Sequence, residues 1–450
     1  MKKKIVWVFM LLAVMFSSCS DDDYLNVIPG NSMALLSIDM QQLLESSGNG
    51  KQDASQMLCS TLGIDSEEDM GIDVSARLFL FESQEGALGM VAKVDDRKQV
   101  EHFFKRLAAK GICQEATPFR GNLFTVVKGS WVVGIGNTAV VVMGPALPAQ
   151  HSETISQISA YFKQGDDMGI KSSPLMERLE SMSTPVALVA QAAALPEMFA
   201  APFTLGAPEK TDASQILIAA EIACSDGTLR MKGETFSLNK RVNEALVAAK
   251  ELFRPISGAY IGKLSGSDFC SLMINTKGED LLGMIRKNRM LTSLLTGVNT
   301  AIDMNRILQG VDGEVAITAH NMDPMVSIHA QLADDGFLKD VDYWMKSCPD
   351  GASIRRDAKA VNAFVYQDKS RRFLFGVTSD KQFYGQLVPN GSVMPSYKNT
   401  DPSVSNALKG EKMCLLLHLD GVGNNEIVET IKSVMLPITG DVSTIILTIR

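Results

Sequence analysis

Residues Ile5 to Phe16 form an unbroken apolar run of 12, preceded by Lys2, Lys3 and Lys4 and closed by Ser17, Ser18 and Cys19. That is well short of the roughly 20 residues a bilayer-spanning helix needs. A basic start, a short apolar stretch and a small-residue close predict a secretory signal. Beyond it the apolar residues fall into short alternations and helical stripes. Val315, Ile317 and Ala319 alternate with Ala316, Thr318 and His320, the pattern of a strand with one core face and one wet face. Val100, Phe103, Phe104 and Leu107 make a helical stripe behind the cap Asp95-Asp96. Val242, Leu246, Ala249 and Phe253 make another, capped by Asn239 and stopped by Pro255.

These patterns recur. Ile28-Pro-Gly-Asn-Ser-Met-Ala-Leu-Leu-Ser-Ile-Asp39 has the spacing of Leu264-Ser-Gly-Ser-Asp-Phe-Cys-Ser-Leu-Met-Ile-Asn275, at an offset of 236. The strand Ala87 to Val94, its acidic cap and its helix are repeated by Val326 to Ala333, Asp334-Asp335 and a stripe at Leu338, Val341, Trp344 and Met345. Trp131 to Gly134 matches Phe373 to Gly376 as the return arm of a hairpin. Leu179 to Val189 matches Leu408 to His418 at an offset of 229. Segments that keep their order across a chain mark a duplication, with loop insertions shifting the offset.

The expected fold class is therefore α+β: two tandem copies of a mostly antiparallel sheet with helices packed on one face. The copies are assigned to residues 31–238 and 255–450, with a linker helix at 239–254, a signal peptide at 1–18 and an acidic tether at 19–30. In the first copy the strand Ile216 to Ile222 turns at Asp226-Gly227 and returns to Phe236. The second copy reaches Arg450 with no return strand, which leaves two expectations open: its last strand is an edge that some partner completes, or the chain is a truncated version of something longer.

Phe16-Ser-Ser-Cys19 resembles a bacterial lipobox, with Phe16 where Leu is usual, which implies lipidation at Cys19. The following Ser20, Asp21, Asp22 and Asp23 resemble the acidic export signal of Bacteroidetes surface lipoproteins; read from charge alone, they are a solvated tether. With the "Ile-Pro-Gly-Asn-Ser" opening and the two-fold repeat, they make the chain similar to the Bacteroidetes lipoprotein family known as domain of unknown function 4836. The resemblance implies an outer-membrane, lipid-anchored protein at the cell surface, and brings no catalytic residues. Removing residues 1–18 takes away three lysines and no acid, leaving 40 basic against 51 acidic residues, a net of −11. Such a chain is repelled by phosphate backbones, so no nucleic-acid partner is expected. A content of 46% hydrophobic and 21% charged residues is that of ordinary folded protein.

Candidate chemistry is sparse. Cys59, Cys113, Cys224, Cys270, Cys348 and Cys414 contain no CxxC pair, and the three in apolar strand-like runs (224, 270 and 414) read as buried thiols. Gly134-Ile-Gly136-Asn-Thr-Ala139 has the letters of a dinucleotide-binding turn but leads into the strand-like Val140 to Met143, so a hairpin is expected and no cofactor. Ser237-Leu-Asn-Lys240 fits SxxK without its companion motifs. His102, His151 and His418 stand alone, and Trp131 and Trp344 lie in apolar patterns, which removes the usual sugar platforms.

His320 and His329 flank a turn at Asn321 to Met325, and alternation sets Thr318, His320, Ser327 and His329 on the polar face. Two imidazoles and a hydroxyl there begin either a metal site or a Ser–His pair; no carboxylate at short spacing completes either, and no metal is expected. The leading expectation is a non-catalytic binding or scaffolding module, attached to the membrane through its lipid and meeting an envelope protein partner, in an oligomeric state the sequence leaves unspecified. The alternatives are a ligand-binding lipoprotein with a cleft between the repeats, and an envelope hydrolase built on His320, His329 and Ser327.

Overall fold

The computed structural model describes residues 22–46, 70–195, 200–225, 227–287, 301–320, 325–358, 360–395, 399, 402–419 and 442–449. The chain divides into two compact units, Met1–Pro185 and Val186–Arg450.

The first unit contains β1 (Ala34–Ile38), β2 (Leu78–Glu82), β3 (Leu88–Lys93), β4 (Thr117–Phe119), β5 (Asn122–Val127), β6 (Trp131–Ile135) and β7 (Ala139–Gly144). The pairings in the order β1-β2-β3-β7-β6-β5-β4 are antiparallel. The expected helix forms at Arg97–Ala109: the Asp96 side chain accepts hydrogen bonds from the Lys98 and Gln99 amides, satisfying two donors that the helix leaves open. Its face Val100, Phe103 and Phe104 packs on Val133, Ile135 and Val140 of the sheet. Burying side chains of this size stabilises by roughly 1.5–3 kcal/mol each.

Residues 24–28, assigned above to the tether, are part of this core. A 3-10 helix at Asp23–Val27 buries Tyr24, Leu25 and Val27. The Tyr24 ring lies 6.1 Å from that of Phe79, and its hydroxyl donates to the Arg77 carbonyl at 3.1 Å. Three apolar side chains in five residues outweigh the aspartates Asp22 and Asp23 at the start of the helix.

The second unit contains β8 (Val186–Gln191), β9 (Leu217–Ser225), β10 (Thr228–Phe236), β11 (Cys270–Lys277), β12 (Val311–Ala319), β13 (Val326–Leu332), β14 (Ser353–Arg356), β15 (Ala363–Gln367), β16 (Arg371–Val377), β17 (Gln382–Pro389), β18 (Met413–His418) and β19 (Thr444–Ile449). Their order is β8-β9-β10-β19-β18-β11-β12-β13-β17-β16-β15-β14. Among the described pairings of this unit, only β10 and β19 run parallel, from Thr228 opposite Thr444 to Gly233 opposite Ile449. That pair corrects the expected open edge: β19 has β18 on one side and β10 on the other. It also ties the β9–β10 hairpin into the second unit.

Helices do not keep to one face here. Helices Gly278–Lys287, Met304–Gln309 and Val341–Lys346 pack with Ile274, Val315 and Ala330 on one side. The opposite side, carrying Met273, Ala316, Cys414, Leu416 and Ile446, is covered by Ile256 to Leu264 and by helix Pro402–Leu408. The face read as wet therefore has a core of its own, because enough of its alternate positions are apolar. Helix Lys240–Lys250 forms as expected, with Asn239 accepting from the Arg241 and Val242 amides.

Among the described residues, no helix is long and apolar enough to cross a membrane. Cys113, Cys270, Cys348 and Cys414 form no disulfide, and burial pushes the Cys414 thiol up to about 12 and Cys270 up to about 11. Trp344 is buried in the second unit's core, while Trp131 is half-buried.

Candidate functional site

The end of the sheet where β11 begins, β12 ends and β13 begins brings a carboxylate, an imidazole and a hydroxyl into hydrogen-bonding reach. Cys270 faces Ala319 across the β11–β12 ladder, and Ala319 faces Val326 across the next. Asp268 lies two residues before the first rung, His320 one residue beyond it, and Ser327 one rung inside. This register brings three side chains from distant sequence positions into one line. The Nδ1 of His320 is 2.7 Å from Oδ1 of Asp268, and its Nε2 is 2.7 Å from Oγ of Ser327.

A carboxylate only accepts, so Nδ1 donates to Asp268, and the Nε2 of the neutral ring accepts the Ser327 hydroxyl. The line sits in low dielectric: the Asp268 side chain is 1% exposed and that of His320 11%. Asp268 is held by its own turn, with Oδ2 accepting the Ser265 amide at 2.6 Å and its amide donating to the Ser265 carbonyl at 2.9 Å. The His320 amide donates to the Met325 carbonyl at 2.9 Å, fixing the imidazole at the mouth of the β12–β13 connection.

Flanking Ser327 on its own row are Thr318 on β12 and Gln386 on β17, its direct cross-strand partners. Directly opposed side chains stand about 5 Å apart at Cβ. The Thr318 and Ser271 hydroxyls share a hydrogen bond of 3.1 Å. Thr318 and Ser327 are buried, and Gln386 is half-buried.

His329 does not join the line. Its ring stacks on Tyr260 with centroids 5.6 Å apart. Burial, helped by Lys263 and His320, lowers its pKa to about 4, which leaves a neutral ring at physiological pH. Glu314, further along β12, is fully buried and clamps the incoming chain: it accepts from the Ser257 amide, the Ser257 hydroxyl at 2.5 Å and the Gly258 amide at 2.8 Å.

Of the residues singled out in the sequence, His320 and Ser327 are brought together and His329 is set apart. Asp22 is exposed and Asp23 half-buried at the start of the first 3-10 helix; Cys19, Ser20 and Asp21 lie outside the described residues. Gly134 and Gly136 belong to the β6–β7 hairpin, whose Gly136 amide donates to the Ala139 carbonyl at 2.9 Å. A Cβ at Gly134 would stand 2.6 Å from Ile158, and one at Gly136 2.6 Å from the Phe162 ring, so helix packing accounts for these glycines. Ser237 donates to the Gln215 carbonyl at 2.6 Å beside the Asn239 cap, while the Lys240 side chain is 90% exposed, so this SxxK is a helix start.

Asp268 and Gln386 were missed. Asp268 was visible only as a polar position in a repeated turn, aligned with Ser32, and its meeting with His320 requires the β11–β12 pairing, which no local pattern states. Among the described residues no group of three or more metal-binding side chains converges.

The chain matches the family described as "Domain of unknown function (DUF4836)" over residues 24–386, and it belongs to that family. The matched span contains Asp268, His320, Ser327 and Gln386. A search of curated proteins finds no match. Among solved structures, crystal form I of TP0453 is similar at 10% identity and a TM-score of 0.27, covering 46% of this chain and 74% of that one. Crystal form III of the same protein is similar at 9% identity and a TM-score of 0.27, covering 83% and 96%.

Proposed function

We propose that this is a lipid-anchored envelope protein, acylated at Cys19 and exported to the cell surface, in which one α+β module is written twice and the second copy holds a binding or scaffolding site for an envelope partner. The duplication is supported by pairing order: β1-β2-β3-β7-β6-β5-β4 in the first unit and β11-β12-β13-β17-β16-β15-β14 in the second.

The observation that carries the binding site is a difference between corresponding rungs. Asp268, His320 and Ser327 form a hydrogen-bonded polar line beside the Ser271–Thr318 hydroxyl pair, while the counterparts Ser32, Phe81, Ser83 and Gly89 show no such line. Buried polar networks are hard to keep satisfied, so a copy that only filled space would more readily hold an apolar set. The acyl chains supply attachment by their own burial.

Two measurements test this. Metabolic labelling with a radioactive fatty acid is expected to mark the full-length protein and to miss the Cys19→Ala variant; equal labelling of both would rule the anchor out. Pull-down of the tagged protein from gently solubilised envelopes is expected to bring down a stoichiometric partner from wild type but less from His320→Leu. Recovery of the bare protein in both cases counts against the scaffold.

A further inference from the structure

The second unit's polar line supports a chemical step that a binding module does not need. We propose that Ser327 is a nucleophile for hydrolysis of a small uncharged ester, with His320 as its general base, Asp268 as the positioning residue that fixes the His320 tautomer, and Gln386 as the donor to the developing oxyanion. This goes beyond the binding reading and does not depend on the anchor.

A hydroxyl becomes nucleophilic when a base within about 2.6–3.2 Å takes its proton as it attacks, and when that base is oriented by a third group. Ser327, His320 and Asp268 meet both conditions at 2.7 Å each. Asp268 has both oxygens occupied, one by His320 and one by the Ser265 amide, so its rotation is blocked. That locks the His320 lone pair on Nε2, toward Ser327.

Stabilisation of an oxyanion must come from side chains here. Ser327 and its neighbours on β13 are paired with β12 on one side and β17 on the other, so the local amides are committed to the two ladders. Gln386 is directly opposite Ser327 and carries a side-chain amide, a donor type able to serve an oxyanion. The row across the sheet is Leu416, Ser271, Thr318, Ser327, Gln386 and Leu374, apolar at both ends and uncharged throughout. Ser327 is only 7% exposed, so the proposal is confined to a short uncharged acyl group.

The step balances without a cofactor. Oγ of Ser327 attacks the ester carbonyl carbon while its proton moves to Nε2 of His320. The carbon–oxygen bond to the alcohol breaks as His320 returns that proton to the leaving oxygen, leaving an acyl-serine. Water, deprotonated by His320, then attacks the acyl carbon, and Ser327 leaves with its proton restored. Ester and water become carboxylic acid and alcohol.

The test uses full-length protein in mild detergent with a fluorophosphonate probe and p-nitrophenyl acetate. Wild type is expected to be labelled on the peptide containing Ser327 and to hydrolyse the acetate. Ser327→Ala should abolish both, and His320→Gln should lower the rate by about 100-fold or more. Asp268→Asn should lower the rate and alter its pH profile, which loss of a merely structural contact would not do.

Should Ser327→Ala unfold, Ser327→Cys keeps the question open to measurement. The introduced thiol, beside His320, is expected to react with iodoacetamide at pH 7 at least tenfold faster than Cys270 and Cys414 of the same molecule. An unlabelled, inactive wild type overturns the proposal, as does labelling that persists in a folded Ser327→Ala protein or an introduced thiol no faster than Cys270. The binding reading stands or falls separately, on the pull-down.

Discussion

At matching rungs the two units solve the same packing problem with opposite chemistry. In the first unit Phe81 faces Gly89 across β2–β3; in the second Thr318 faces Ser327 across β12–β13. The Phe81 ring, 3% exposed, fills the space over Gly89 so closely that a Cβ there would stand 2.1 Å from it. Where the second unit puts Asp268 and His320, the first puts Ser32 and Ser83, each buried and bonded within its own turn: Ser32 donates to the Pro29 carbonyl at 2.6 Å, and Ser83 accepts the Ala87 amide at 3.3 Å. The backbone turns survive in both, since the Ser83 amide donates to the Ala87 carbonyl as that of His320 does to Met325. The fold therefore does not require the polar line. Among the described residues it is present in the second unit and not in the first, so its energetics can be separated from those of the framework.

The largest expected effect is at the imidazole. His320→Leu leaves the Asp268 carboxylate buried without its main partner and is expected to destabilise by about 3 kcal/mol. Ser83→Ala at the corresponding rung is expected to cost only about 1 kcal/mol. Urea midpoints measure both, and equal losses would erase the distinction between the units.

Next in size is Gly89→Ala, which drives a methyl into the Phe81 ring and is expected to cost about 2 kcal/mol. Combined with Phe81→Thr it should cost less than the two single changes added together, by about 1 kcal/mol in a double-mutant cycle. Strict additivity would mean that ring and glycine are not coupled.

A third contrast is in pH. His329 has Val91 as its counterpart, so only the second unit titrates at this rung. Its folded pKa of about 4 lies below the ordinary histidine value of about 6.5, so the unfolded chain binds the proton more readily between those values. Its stabilising contribution is complete above pH 6.5 and is lost as pH falls toward 4. Denaturation midpoints of His329→Gln should fall less than those of wild type over that window; parallel curves would remove the assignment. Smallest is Ser327→Ala, expected to cost about 1 kcal/mol by leaving Nε2 of His320 without its donor, read from the thermal midpoint.

Much of the framework was legible in local pattern. The Asp96 and Asn239 caps, the Val100-Phe103-Phe104 face and the β9–β10 hairpin are set by residues within a few positions of one another. The site was half legible. Alternation around one turn was enough to pair His320 with Ser327, because β12 and β13 are joined by a short connection. It also put His329 on the same face, but stacking on Tyr260, remote in sequence, draws that ring away. The wet face was misread because its cover arrives from Ile256 to Leu264 and from Pro402–Leu408, segments whose destination no alternation encodes.

What the sequence determined by itself was the kind of element in the strongly patterned segments, such as the Arg97–Ala109 helix and the β9–β10 hairpin. Those follow from side-chain periodicity and short-range hydrogen bonds, which act over a handful of residues. Only the tertiary structure decided that β10 closes the edge of β19 and that Asp268 reaches His320 from 52 positions away. Strand pairing is a contact between remote stretches of backbone, whose amides and carbonyls are alike at every residue, so register is settled by which side chains can be buried together.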